Sequence, residues 1–234
     1  MRLNKYLAQC GIGSRRKVEP YIQDGRVTVN GEVMTQMSYR VHPTDKVEFD
    51  GKLCYPPSEE TMVLLNKPKR YLCTKDDPQG RPTVFELLPE NLRHLHYIGR
   101  LDFDSRGLLL FTDNGELSRR LTHPSYGVQR MYKVKLDKVL QEKDAQEIRK
   151  GLILEDGTEF RPAKVKIFEE NVEMILTEGK KREIREMMKA LGYRVVDLKR
   201  EVYAGVRLGK LREGNAQILD RDVVAKLRKL VGLD

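Results

Sequence analysis

The segment GRLDFDSRGLLLFT, residues 99–112, sets two carboxylates, Asp102 and Asp104, between Arg100 and Arg106 and directly ahead of an apolar run. A carboxylate beside a hydrophobic strand is costly unless a cation pairs with it or a reaction uses it. Two readings follow from the residue types alone. Asp102 can be a turn residue neutralised by Arg100 or Arg106. It can also work with Asp104, because in an extended chain residues two apart share a face at ~7 Å, a separation that suits inverting glycoside hydrolysis. Arginines on both sides favour ionisation of both carboxyls, and nothing nearby keeps one of them protonated as a general acid.

Other chemistries find little support. Cys10, Cys54 and Cys73 are far apart and form no C-x-x-C pair, which points to free thiols in a reducing compartment. Among His42, His94, His96 and His123 only two are close, and no Cys or acid completes a ligand spacing around them. G-x-S-x-G, P-loop and G-x-G-x-x-G patterns are missing. No metal site is expected.

Charge supplies a stronger signal. The 234 residues carry a formal net charge of +9 despite 35 acids, so the excess is sought in patches. Residues 1–30 hold six Lys or Arg against two acids, and residues 178–212 hold eleven against five. In both, cations (Arg15, Arg16 and Lys17; Lys180, Lys181 and Arg182) crowd the start of a predicted helix, where they oppose the macrodipole by ~0.3–1 kcal/mol each. An anionic partner would offset that cost, and nucleic acid is the expected one. No stretch approaches about eighteen apolar residues, and MRLNKYLAQC is too short and polar for a signal peptide. No membrane partner and a cytoplasmic location are expected.

The elements that must position these residues fall into two domains, 1–57 and 58–234, with the proline-containing LCYPPSEET as linker. In the first, Leu3, Tyr6, Leu7 and Cys10 have helical spacing, and Ser14 caps a second helix carrying Val18, Tyr21 and Ile22. RVTVNG and KVEFDG alternate and end in turn dipeptides, giving an αα-plus-sheet unit. Pro20 interrupts the hydrogen bonding of the second helix. In the larger domain, TMVLLNKP, MYKVKL and NVEMILTEG read as strands. EIREMMKALG places Ile184, Met187, Met188 and Leu191 on one helical face, with Gly192 as its cap. Asp220 starts a last helix with Val223, Val224, Leu227 and Leu230 inward. The fold class expected is α+β, on a mostly antiparallel mixed sheet with flanking helices.

Two resemblances sharpen this reading. RLNKYLAQCGIGSRRKVEPYIQDGRVTVNGEV resembles the small RNA-binding module named after a small-subunit ribosomal protein, the S-four domain. The resemblance implies an RNA-binding surface on Arg2, Lys5, Ser14, Arg15, Arg16, Arg26 and Asn30. Behind it, LLNKP, GRPTVFELLP, GRLDFDSRGLLLFTDNGEL, RRLTHPSYGVQRMYKV and EGKKREIREMM occur in the order found in ribosomal RNA pseudouridine synthases that carry such a domain.

By that resemblance Asp102 is the catalytic aspartate, Tyr132 stacks on the uracil and Arg185 pairs with the aspartate. Ile184 lines the pocket, and Arg100 contacts RNA and helps hold the target nucleotide out of its stack. Lys180, Lys181 and Arg182 join the RNA surface. Arg70 departs from the glycine that often follows NKP, and Ser105-Arg106 from the usual pair of small hydroxyl residues. The implied reaction breaks the bond between ribose and uracil nitrogen and rejoins the ring through carbon. It therefore needs neither metal nor cofactor. The expected enzyme is a monomer that modifies large-subunit (23S) ribosomal RNA, as a folded stem-loop or within an assembling particle. The small-subunit (16S) enzyme and a non-catalytic RNA-binding assembly factor are the alternatives.

Overall fold

The computed structural model describes residues 1–57, 59–161, 163–169 and 171–234. They form two compact units, Met1–Glu60 and Thr61–Asp234.

The first unit runs α1 (Leu3–Gln9), α2 (Arg15–Gln23), β1 (Val27–Val29), β2 (Glu32–Val33), β3 (Val47–Phe49) and β4 (Lys52–Leu53). Its strands pair antiparallel in the order β2-β1-β3-β4. Leu3, Leu7, Val18 and Ile22 from the helices bury against Val27, Val29 and Val47 of the sheet. Ser14 caps α2 through its Oγ, which accepts from the Lys17 N–H at 3.2 Å, and the helix continues through Pro20 to Gln23. Both turn dipeptides adopt the left-handed backbone that a two-residue hairpin requires: φ is 54° at Asn30 and 86° at Gly31, 49° at Asp50 and 73° at Gly51.

The second unit comprises β5 (Met62–Lys67), β6 (His96–Ile98), β7 (Arg106–Thr112), α3 (Gly115–Thr122), β8 (Arg130–Leu136), α4 (Glu142–Lys150), β9 (Leu152–Ile153), β10 (Glu159–Phe160), β11 (Lys164–Phe168), β12 (Asn171–Leu176), α5 (Glu183–Ala190), β13 (Val195–Tyr203), β14 (Val206–Arg207), β15 (Ala216–Ile218) and α6 (Arg221–Leu230). The main sheet follows β11-β12-β8-β13-β7-β5-β15, with β6 added against β7 and β14 against β13. Among the described strands, β13 and β7 alone pair parallel. The sheet is mixed and mostly antiparallel, and the fold is α+β.

Helices cover the centre of this sheet on both faces. Val63, Leu65, Leu109 and Phe111 share one core with Ile148 of α4 and with Ile184, Met187 and Met188 of α5. The alternate residues Met62, Leu64, Leu108 and Leu110 share another with Leu117 and Leu121 of α3 and with Val224 and Leu227 of α6. Strands buried on both faces read as unbroken apolar runs, hence MVLL and GLLLF. On β8 Arg130, Tyr132, Val134 and Leu136 are buried, while Lys133 and Lys135 are exposed, hence alternation. Leu230, expected inward, is 55% exposed; α6 ends there, and the next residue, Val231, turns into the core instead.

The sheet is tightest at Gly107. Lys67 of β5 lies opposite it on one side and Arg200 of β13 on the other. A Cβ on Gly107 would sit 2.3 Å from the Arg200 carbonyl oxygen and 2.8 Å from its nitrogen, and φ there is +105°. Only glycine permits both the backbone angle and the approach. Gly157, at φ +82°, has open space where its Cβ would lie. Gly157→Ala should therefore cost about 1–2 kcal/mol for the backbone angle alone. Gly107→Ala should cost about 1–3 kcal/mol more for the forced separation of two strands. Urea unfolding of both variants checks this, and equal losses would show that the β7–β13 approach carries no strain.

Candidate active site

Asp102 lies on the loop from Gly99 to Ser105 that joins β6 to β7. The loop is held almost entirely by its carbonyl oxygens. Lys67, fully buried at the end of β5, donates from Nζ to the carbonyls of Pro68 at 3.0 Å, Asp102 at 3.1 Å and Ser105 at 2.8 Å. Three acceptors match the three N–H bonds of an ammonium. Burial pulls this amine down to about 8, while Cys73, Asp102 and Asp104 work in the opposite direction. The Arg70 N–H donates to the Phe103 carbonyl at 2.7 Å. Arg185 Nη2 donates to the Asp104 carbonyl at 3.2 Å, and Arg200 Nη1 to the Arg100 carbonyl at 3.4 Å. Arg200 is 1% exposed and also donates from Nε to the Leu108 carbonyl at 2.7 Å.

Held in this way, the loop forms part of the rim of a cavity of about 250 Å³. The lining brings together Arg100, Asp102, Tyr132, Ile184, Lys180, Lys181 and Arg182 from the sequence-predicted set, with Ser105, Arg130, Leu198 and Arg200. Strand register explains part of this convergence. Tyr132 lies opposite Arg200 across β8 and β13 and opposite Met174 across β8 and β12, so these residues share one face of the sheet. Arg130 is buried and spends its guanidinium on the carbonyls of Leu121, Val128 and Glu178.

Three expectations need correction. Residues 102–105 form a turn, closed by the Ser105 N–H to the Asp102 carbonyl at 3.1 Å, so Asp102 and Asp104 do not lie along an extended face. Arg185 pairs with Asp104 at 3.2 Å rather than with Asp102, and Arg182 joins it at 3.5 Å. The turn aims Asp104 at the start of α5, where Arg182 at φ 52° takes the N-cap position. Arg106 does not neutralise Asp102 either: it pairs with Asp197 at 2.7 Å, and Lys69 reaches the same carboxylate at 2.6 Å. The Asp102 carboxylate itself has no ion-pair partner among the described residues.

The remaining predicted residues lie in the first unit. Arg2, Arg15 and Arg16 are exposed and Lys5 half-buried, and none of them forms an ion pair among the described residues. Arg26 is engaged internally: it pairs with Asp50 and lies 4.5 Å from the Tyr21 ring centre and 4.8 Å from that of Phe49. Asn30 receives the Lys46 N–H at 2.9 Å and donates to Asp45 at 3.0 Å, and Ser14 is occupied as a cap. Sequence reasoning missed Lys67 and Arg200. The available signal was a lysine closing the mostly apolar strand MVLLNK, and an arginine in LKRE with its neighbours alternating inward.

Two family models match this architecture. One described as RNA pseudouridylate synthase covers residues 61–190, and one described as S4 domain covers residues 1–47. The chain belongs to the RNA pseudouridylate synthase family. A relative named as an uncharacterized RNA pseudouridine synthase of Aquifex aeolicus (strain VF5) is 36% identical over 100% of this chain and 96% of its own length. Proteins named ribosomal large subunit pseudouridine synthase B are 35% identical in Bacillus subtilis (strain 168), over 98% of this chain and 96% of theirs, and 41% identical in Yersinia pestis, over 100% and 77%. A crystal structure of a pseudouridylate synthase superposes with a TM-score of 0.71 at 31% identity, covering 97% of this chain and 99% of that one.

In this pseudouridine synthase, Lys67→Met would keep the buried stem and remove three donors, two of them to the loop and one to the Pro68 carbonyl. Three carbonyls losing a donor at ~1 kcal/mol each should cost about 3 kcal/mol in urea unfolding. Unchanged stability would mean that the loop is held without its lysine.

Proposed function

We propose that this synthase isomerises a uridine of large-subunit ribosomal RNA, with Asp102 as the catalytic carboxylate. The supporting observation is that Asp102 borders the cavity without an ion-pair partner among the described residues, while Asp104 and Asp197 are each held by two cations. The names of the relatives from Bacillus subtilis and Yersinia pestis support the choice of large-subunit RNA.

The reaction breaks the C1′–N1 bond, turns the uracil, forms a C1′–C5 bond, and moves a proton from C5 to N1. No electrons enter or leave. An ionised Asp102 supplies negative charge or a nucleophile at the reacting nucleotide. Extruding the base costs a few kcal/mol, and stacking on Tyr132 recovers ~1–3 kcal/mol. Ile184 gives the ring an apolar wall, and Arg100 occupies the rim where the RNA strand must pass. Lys180, Lys181 and Arg182 receive phosphates there. Arg2, Lys5, Arg15 and Arg16 of the S4 unit hold a folded stem through contacts that weaken with salt. Ser14 and Asn30 act beside them by shaping the backbone, and Arg26 by stacking.

Pseudouridine mapping of ribosomal RNA from cells lacking the gene tests the assignment. One large-subunit position should lose its modification and regain it with the wild-type protein but not with Asp102→Asn. Restoration by Asp102→Asn would remove the carboxylate from the mechanism, and loss at a small-subunit position would overturn the choice of RNA. For the S4 surface, the double variant Arg15→Ala, Arg16→Ala should lower the slope of log K against log salt by about 0.7–0.9 for each phosphate no longer neutralised. An unchanged slope in filter binding would assign the RNA surface elsewhere.

A further inference from the structure

On the cationic side of the cavity lie two buried carboxyls that the chemistry above does not use, and Glu183 is itself among the lining residues. Glu178 follows β12 and Glu183 opens α5, and each is 5% exposed. The chain between them carries Lys180, Lys181 and Arg182 to the cavity. Lys180 N–H donates to Glu183 Oε2 at 3.0 Å, and Arg161 N–H donates to Glu178 Oε1 at 2.7 Å. The Arg161 and Lys180 side chains each approach Glu178 to 3.7 Å. Arg130 donates to the Glu178 carbonyl at 3.2 Å. One atom is left over. Glu183 Oε1 is buried with no donor, although the Glu178 carboxyl lies within hydrogen-bonding reach of the Glu183 carboxyl. Two ionised carboxylates are acceptors only, so this contact is a hydrogen bond only when one of them carries a proton.

We propose that Glu183 is a positioning residue: a proton shared with Glu178 clasps the two ends of the 179–182 segment and so sets Lys180, Lys181 and Arg182 against the cavity. The inference rests on the reading of that cavity as the catalytic one. The charged groups facing the pair are Lys180 within the segment, Arg161 beyond β10 and Arg130 on β8. Burial, and then the charge of Glu178, push the Glu183 carboxyl up to about 7 from an ordinary value of 4.5, against the pull of Lys180. Folding raises this value, so the clasp is complete below the ordinary range and is lost as pH climbs through about 7. With the proton gone, two buried like charges repel and the segment loosens.

The test pairs a titration with a rate. In protein labelled with carbon-13 at glutamate side-chain carboxyls, the resonance absent from Glu183→Gln should titrate near 7. The single-turnover rate of pseudouridine formation should fall by up to about a hundredfold as pH rises through that value, the scale of groups misplaced by ~1 Å. Glu183→Gln, whose amide donates permanently, should abolish the fall, whereas Glu183→Ala should be slow throughout. A carboxyl titrating near its ordinary value, or a glutamine variant with the wild-type pH profile, overturns the proposal. If the RNA were not a substrate at all, the resonance would still decide the clasp by itself.

Discussion

The row Lys67, Gly107, Arg200 is the constraint on which the site depends. Three strands meet there, two of them in the sheet's parallel pair, and the middle residue has no side chain. The missing Cβ lets β13 press against β7 and leaves room between two long cationic side chains. Into that room fits a loop turned so that its carbonyls face the cations: Arg100 toward Arg200, and Asp102 and Ser105 toward Lys67. Burying two cations is expensive. The loop's backbone offsets much of that cost, and in return it is fixed in one shape. What remains outside the network is the Asp102 side chain.

The charge arrangement around that side chain follows a division among acids. Asp197 ties Lys69 and Arg106, and Asp104 ties Arg182 and Arg185. Each of these acids neutralises two cations. The cavity therefore keeps a surplus of positive groups on its rim, and the Asp102 carboxylate is not claimed by any of them. An anionic strand can approach such a rim, and a charge that is not already paired can respond to a change in its substrate.

Much of this was legible in the chain. The runs MVLL and GLLLF announced strands buried on both faces, the alternation of MYKVKL announced a strand with one wet face, and Asn30-Gly31 and Asp50-Gly51 announced their hairpins through the residues that tolerate positive φ. The period of Ile184, Met187 and Met188 set α5 and its core face. The site was only partly legible, for a physical reason. Ion pairing depends on where a turn sends a side chain, and the turn at residues 102–105 directs Asp104, not Asp102, toward Arg185. Lys67 and Arg200 escaped notice because a buried cation bonded to backbone carbonyls leaves no partner residue in the sequence to mark it. Leu230 was misassigned because a helical period does not say where the helix stops.

The central claim is that the loop exists to present Asp102 to a flipped uridine, and isomerisation necessarily frees the hydrogen at C5 of that uridine. The most direct measurement is therefore tritium release from ribosomal RNA labelled at C5 of uridine, under single turnover, alongside the binding affinity of the same protein. The account predicts that wild-type protein releases tritium and that Asp102→Asn binds the RNA with unchanged affinity and releases none. Release at the wild-type rate by Asp102→Asn would contradict it.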